Sequence, residues 1–180
     1  NMKVSALDES IIWDIGHAFV YYEYGAERGL ISAFPSRDAA AAFICGYTRM
    51  ALQSGMLYAA GEGNEAYIAY KRPGEKISPK AVWPLAKALL SSMDLKALIR
   101  FARIMAKGEA GLDKRLSKAK KPYIFVGMVC VREACQGQGY MRKLMDMAFA
   151  EGDRLDVPVI LETDARSKCD RYVHFGMTLA

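Results

Sequence analysis

Apolar residues recur at helical spacing along the first part of the chain and at strand spacing further on. Ile11, Ile15 and Phe19 share one face of a helix predicted from about Asp8 to Tyr22. A second predicted helix has sharper bounds. Pro35 and Ser36 supply a start signal, Ala40, Phe43, Ile44, Tyr47 and Ala51 form a stripe, and Gly55 sits where a C-terminal cap belongs. Met56 to Ala60 and Glu65 to Arg72 read as two strands around Gly61-Glu62-Gly63-Asn64, which offers the positive-φ residues a hairpin needs. Pro73-Gly74 closes the second strand. Helical spacing returns from Ser78 to about Lys107, with Leu85, Leu89 and Leu90 before Met93 and Leu95, Leu98, Ile99, Ala102 and Ile104 after it. Gly108 and Gly111 interrupt it, and the stretch to Lys121 reads as a helix or an exposed loop.

Tyr123 to Val131 is a long β-type run, apolar on both faces, which predicts a central strand. A helix is expected from about Gly139 to Leu155, with Met141, Leu144, Met145 and Ala148 turned inward. Val159 to Thr163 reads as another buried strand, and Lys168 to Phe175 as a short helix ended by Gly176. Strand, glycine loop, helix and strand make a βαβ unit, which calls for a parallel pair and a right-handed crossover.

With 180 residues, 52% hydrophobic and 25% charged, one folded domain over residues 1–180 is expected rather than two or a disordered chain. No apolar run reaches the roughly 20 residues that span a bilayer, and Asn1 to Glu9 lacks the layout of a signal peptide, so a cytoplasmic setting without a membrane partner is expected. Cys45, Cys130, Cys135 and Cys169 contain no CxxC pair, which argues for free, mostly buried thiols and against a metal. The net charge of +5 is uneven. Nine bases lie between Lys96 and Lys121 (Lys96, Arg100, Arg103, Lys107, Lys114, Arg115, Lys118, Lys120, Lys121) against the acids Glu109 and Asp113. With no aromatic interleaved after Phe101, a solvated helix face accounts for this run better than nucleic-acid binding does. A third reading is a field that attracts an anionic cofactor.

The chemistry concentrates in Val129-Cys130-Val131-Arg132-Glu133-Ala134-Cys135-Gln136-Gly137-Gln138-Gly139-Tyr140-Met141, which joins the long strand to its helix. Gly137 and Gly139 let successive backbone N–H groups converge without a Cβ in the way, at a helix N-terminus whose dipole favours an anion such as a pyrophosphate. This segment resembles the GNAT superfamily of acyl-CoA N-acyltransferases, whose signature is (Gln/Arg)-x-x-Gly-x-(Gly/Ala) after a strand ending in Val-x-Pro. Gln136, Gly139 and Val131 match; Met141 replaces the last small residue and Glu133 the proline. Downstream, Leu161-Glu162-Thr163 and the run from Tyr172 to Gly176-Met177 resemble the family's Leu-Glu-(Ala/Thr) strand and Tyr-x-x-x-Gly-Phe helix end, at the family's spacing, with Lys168 where many relatives carry asparagine. The two motifs cover about Tyr123 to Met177. Met56 to Gly74 followed by a basic helical insert is similar to the layout of GNATs related to puromycin N-acetyltransferase.

The resemblance implies an α/β (α+β) fold: a mixed, mostly antiparallel twisted sheet split around the cofactor and flanked by helices, with a helical insert before the central strand. It also implies acetyl-CoA as co-substrate and a small-molecule primary amine as acceptor, a protein acceptor staying open. Val129 would offer its N–H to the acetyl oxygen, and Val131 would hold the pantetheine arm. Gln136, Gly137, Gln138, Gly139, Tyr140 and Met141 would bind the pyrophosphate, with charge from Arg142 or Lys143. Tyr172 is the expected general acid, because a phenol of pKa about 10 can protonate a thiolate. Glu162 is the candidate to bind or deprotonate the ammonium. Tyr67 and Tyr70 are candidates for the acceptor pocket, and His174 is read as structural or exposed. A GNAT-fold module that binds acyl-CoA without turnover is the competing reading, a homodimer is left open, and the family adds one or two strands after the position of Met177.

Overall fold

A strand that is apolar on both sides needs cover on both sides, and the chain supplies it with two groups of helices. A computed structural model describes residues 2–21, 29–107, 111–163 and 166–180. In chain order the elements are β1 (Met2–Lys3), α1 (Glu9–Tyr21), α2 (Arg37–Gln53), β2 (Leu57–Ala60), β3 (Ala66–Lys71), α3 (Pro79–Ser92), α4 (Leu95–Lys107), α5 (Leu112–Lys118), β4 (Ile124–Val131), α6 (Tyr140–Leu155), β5 (Val159–Leu161) and α7 (Arg166–His174). Short 3-10 turns cover Gly29–Ala33 and Glu133–Cys135. The fold is thus mixed α/β, and the described residues form one open five-stranded sheet in the order β1-β2-β3-β4-β5. All neighbouring strands are antiparallel except β4 and β5, which run parallel as the βαβ pattern requires.

Alternation along the strands sorts two cores. Leu57, Ala59, Tyr67 and Ala69 pack with Ile15, Ala18, Ala40 and Ile44 from α1 and α2, a cluster that Phe34, Met93 and Phe101 extend. Tyr58, Ala60, Ala66, Ile68 and Tyr70 pack on the other face with Leu144, Met145 and Ala148 from α6 and with Tyr172 from α7. Both faces being covered, every residue of β2 is buried. No described helix is long and apolar enough to cross a membrane.

Most element boundaries follow local chemistry. The Ser36 hydroxyl accepts the Ala39 N–H at 3.1 Å to open α2, and Ser78 does the same for Ala81 at 3.2 Å to open α3. The helical stretch predicted over 78–107 is two helices, because Met93 is extended and the Asp94 carboxylate caps the restart by accepting the Ala97 N–H at 2.8 Å. The stretch after Gly111 contains a helix, α5. Tyr22, Gly108 and Glu109 lie outside the described residues. Strand β1, which the sequence reading lacks, pairs Met2 with Ala59 and Lys3 with Tyr58; two residues are too few to show a period. Strand β5 is shorter than expected and ends before Glu162 and Thr163. Met141 is half-buried at the edge of the α6 core rather than inside it.

A polar cluster ties the hairpin to α6. Arg72 donates to Glu151 and to the Tyr58 hydroxyl, its N–H donates to Glu75 at 2.8 Å, and Arg154 grips Glu151 through two hydrogen bonds of 2.8 Å. The Arg154 hydrogen bonds, followed by those from Arg72, hold the Glu151 carboxyl down from the ordinary 4.5 to about 2. A carboxyl depressed in the folded state contributes stability that is full above its unfolded pKa and is lost as pH falls through the folded one. Glu151→Gln is therefore expected to destabilise the protein at pH 7 by about 1.5–3 kcal/mol, the range for charge-assisted hydrogen bonds. In urea unfolding followed across pH, the gap between variant and parent should close between about pH 4.5 and pH 2. A gap that stays constant over that window contradicts this role.

Candidate active site

The site begins with an irregularity in β4. Ile124 and Val126 belong to the α6 core, whereas Met128 and Cys130, also even-numbered, belong to the α1–α2 core. In an unbroken strand, residues two apart share a face, so one residue has been inserted. The pairing locates it: Ala69 stands opposite Met128 while the adjacent Tyr70 stands opposite Val126, leaving Gly127 over. The slip also re-aims the backbone. Ahead of it the Ile124 N–H bonds Pro158 on the β5 side at 2.9 Å; beyond it the Arg132 N–H bonds Glu65 on the β3 side, also at 2.9 Å. By alternation, Val129 and Val131 turn their N–H and C=O groups away from β3. On that side β5 is already finished, its last pair being Leu161 with Val126. Among the described residues the outer edge of β4 from Gly127 to Val131 therefore has no strand partner, and a groove of about 740 Å³ runs along it.

The loop after β4 closes one end of this groove. Gly137 and Gly139 adopt φ of 75° and 79°, with open space where a Cβ would stand. Such left-handed backbone costs an L residue with a side chain about 1–2 kcal/mol, which is why glycine stands here. Gly139 is the N-cap of α6 and brings no side chain to cap it, so the first-turn N–H groups of a 16-residue helix open at the groove. Gln136 lies in the groove wall and donates to the Val131 carbonyl at 3.4 Å, using the edge of β4 that the slip exposed. The Gln138 side chain donates back to Ala134 at 3.2 Å and is exposed, and Gln138, expected at the pyrophosphate, does not line the groove. Tyr140 and Met141 line the groove. Arg142 does too, pairing with Asp146 at 2.8 Å and lying 5.6 Å over the Phe175 ring, whereas Lys143 sits 4.5 Å over the Tyr140 ring.

Tyr172 enters the groove from α7, on the α6 side of the sheet. It is buried, 8% exposed, and meets Phe175 edge-on at 6.4 Å. Glu162 reaches the rim, but its Oε1 accepts the Asp113 N–H at 3.0 Å, so the carboxylate serves the first turn of α5. Its Oε2 accepts no hydrogen bond among the described residues. Tyr67 and Tyr70 do not reach the groove, which corrects the acceptor-pocket expectation. Tyr67 is fully buried in the α1–α2 core with its hydroxyl unpartnered among the described residues, and Tyr70 stacks on Tyr58 at 4.5 Å in the α6 core. A strand apolar on both faces carries no parity signal from which those directions could be read. His174 is exposed.

Sequence reasoning missed Phe19 of α1 and Met105 of α4, which join the groove; Lys168, singled out at the asparagine position of the downstream motif, lies with its ammonium 5.4 Å over the Phe19 ring. Phe19 and Met105 are far from both motifs in the chain, and no local signal connects them to the groove. Arg142, Lys168 and Arg171 face one carboxylate, Glu162, so the lining favours an anionic ligand. Cys130 also borders the groove, but burial pushes its thiol up to about 12 and its Sγ is turned to the Ile15 carbonyl at 3.5 Å. A covalent cysteine intermediate does not fit such a group. The basic stripe of α4 borders a separate shallow depression with Lys96, Arg100 and Arg103 beside Ile99 and Ile104. Among the described residues no three His, Cys, Asp or Glu side chains converge as a metal site would need.

No protein-family model matches this chain, and no curated protein matches it.

The thiols provide a check on this geometry. Cys45 and Cys130 are buried while Cys135 and Cys169 are half-buried, so brief iodoacetamide treatment at pH 8 should alkylate Cys135 and Cys169 first when peptides are read by mass spectrometry. Early modification of Cys130 contradicts the arrangement.

Proposed function

We propose that the chain is an acetyl-CoA-dependent N-acetyltransferase of GNAT type that acetylates a primary amine of a small molecule. The observation that carries this reading is the meeting of two features in one groove: the unpaired edge of β4 beyond Gly127 and the glycine loop that opens α6 without a side-chain cap. A CoA thioester has two corresponding needs, amide partners for its pantetheine arm and N–H donors for its diphosphate. The resemblance of the segments from Val129 to Met141 and from Leu161 to Met177 to the GNAT motifs supports the same reading, and so does the cationic lining.

In this mechanism the amine nitrogen, once deprotonated, attacks the thioester carbonyl carbon directly. The new C–N bond forms as the C–S bond breaks, and the electron pair leaves with sulfur. The Val129 N–H receives the developing oxyanion and Val131 holds the arm, while the N–H groups of Gly137 to Met141 hold the diphosphate. The Tyr172 phenol protonates the departing thiolate and regains a proton, through solvent, as the newly acylated nitrogen loses one. Glu162, anchored through Oε1, presents Oε2 to the incoming ammonium, whose proton passes to solvent.

Calorimetric titration with CoA, followed by mixing acetyl-CoA with a panel of amines and reading free thiol, tests the proposal. The expected result is CoA binding, thiol release with at least one amine, and a fall in kcat of about 10²-fold for Tyr172→Phe at unchanged CoA affinity. A folded protein that ignores CoA overturns the proposal. The engagement of Glu162 by α5 leaves the groove without a wholly free carboxylate and favours a second reading, an acyl-CoA-binding module without turnover. CoA binding with no thiol release for any amine would select it.

A further inference from the structure

Tyr47 reads in the sequence as one more apolar position of α2, yet its hydroxyl stands at the point where the sheet opens. A β-carbon on Gly127 would lie 1.8 Å from the Tyr47 hydroxyl oxygen, so the phenol fills the space that any other residue would need for its side chain. Gly127 is the inserted residue of β4, is exposed, and lines the groove. The last β4–β5 pair is one residue earlier, at Val126. Tyr47 therefore stands beside the residue at which β4 loses its β5 partner. It approaches from the α1–α2 side, whereas Tyr172 belongs to the α6 side. The ring is half-buried against the α1–α2 core, and its hydroxyl makes no hydrogen bond among the described residues.

Direction along the groove follows from its two ends. The N–H groups of the glycine loop lie beyond Val131, so a CoA thioester held there and running back along β4 brings its acyl end toward Gly127. We infer that Tyr47 is a substrate-contacting residue whose hydroxyl donates a hydrogen bond to the acyl carbonyl oxygen of the bound thioester, as a second donor beside the Val129 N–H. This inference rests on the acetyl-CoA reading of the groove. Two donors on one carbonyl oxygen are the usual way to stabilise a developing oxyanion. Burial pushes the Tyr47 phenol up to about 12, so the group keeps its proton through neutral pH and acts as a donor rather than a base.

CoA and acetyl-CoA differ only in the acyl group, so comparing them isolates the contact. In calorimetric titrations, Tyr47→Phe should weaken acetyl-CoA binding about five- to tenfold, as expected for one hydrogen bond, and leave CoA binding and Tm unchanged. Only an unpartnered hydroxyl is removed, so the fold is retained. Equal weakening for both ligands, or no weakening for either, overturns the role of Tyr47 while leaving the acetyl-CoA reading standing. If the parent protein binds neither ligand, the acetyl-CoA reading falls, and this inference falls with it.

Discussion

One inserted residue in β4 underlies the rest of the site. Without the slip at Gly127, the backbone groups of Val129 and Val131 would face β3 and be consumed in the ladder, and Met128 and Cys130 would point into the α6 core. With it, a strand that begins as an ordinary parallel neighbour of β5 ends with an edge of unpaired amide groups. Such an edge offers its N–H and C=O groups for pairing with another extended group. Gln136 takes one of these groups by donating to Val131, and the groove lies along the remainder.

The helices around the slip have matching tasks. α2 and α1 cover the sheet on one face, α2 setting Tyr47 against Gly127 and α1 bringing Phe19 to the groove; α6 and α7 cover the other and bring the glycine loop and Tyr172. Close contact of the Tyr47 hydroxyl with Gly127 explains why glycine, a poor strand former, stands in the middle of an otherwise aliphatic run. Charge follows the same division. Arg142, Lys168 and Arg171 collect at the groove, while Glu151 and Glu9 are paired on arginines elsewhere.

Much of this was legible in the sequence wherever a local signal exists. Ser36 and Gly55 bracket α2, Gly61 to Asn64 turn the hairpin, and the run from Tyr123 to Leu161 displays strand, glycine loop, helix and parallel strand. The residues expected at the loop, Gln136, Gly137, Gly139, Tyr140 and Met141, do lie together with Val129, Val131, Tyr172 and Glu162 along one groove. What stayed hidden depends on distant contacts or on parity. An isolated glycine within a strand hints at a bulge, but nothing local tells which way Val129 turns afterwards. The capture of Glu162 by the start of α5, 49 residues away, leaves no trace in the motif that contains it. Tyr67 and Tyr70 flank Ile68 in a strand buried on both faces, where alternation conveys no inside or outside.

Amide NMR during titration with CoA reads the backbone groups of the site themselves. The largest shifts should fall on Val129, Val131, Gly137, Gly139 and the first turn of α6. Unchanged resonances at those positions with CoA in millimolar excess, or shifts centred on the basic stripe of α4, would contradict that placement of the coenzyme.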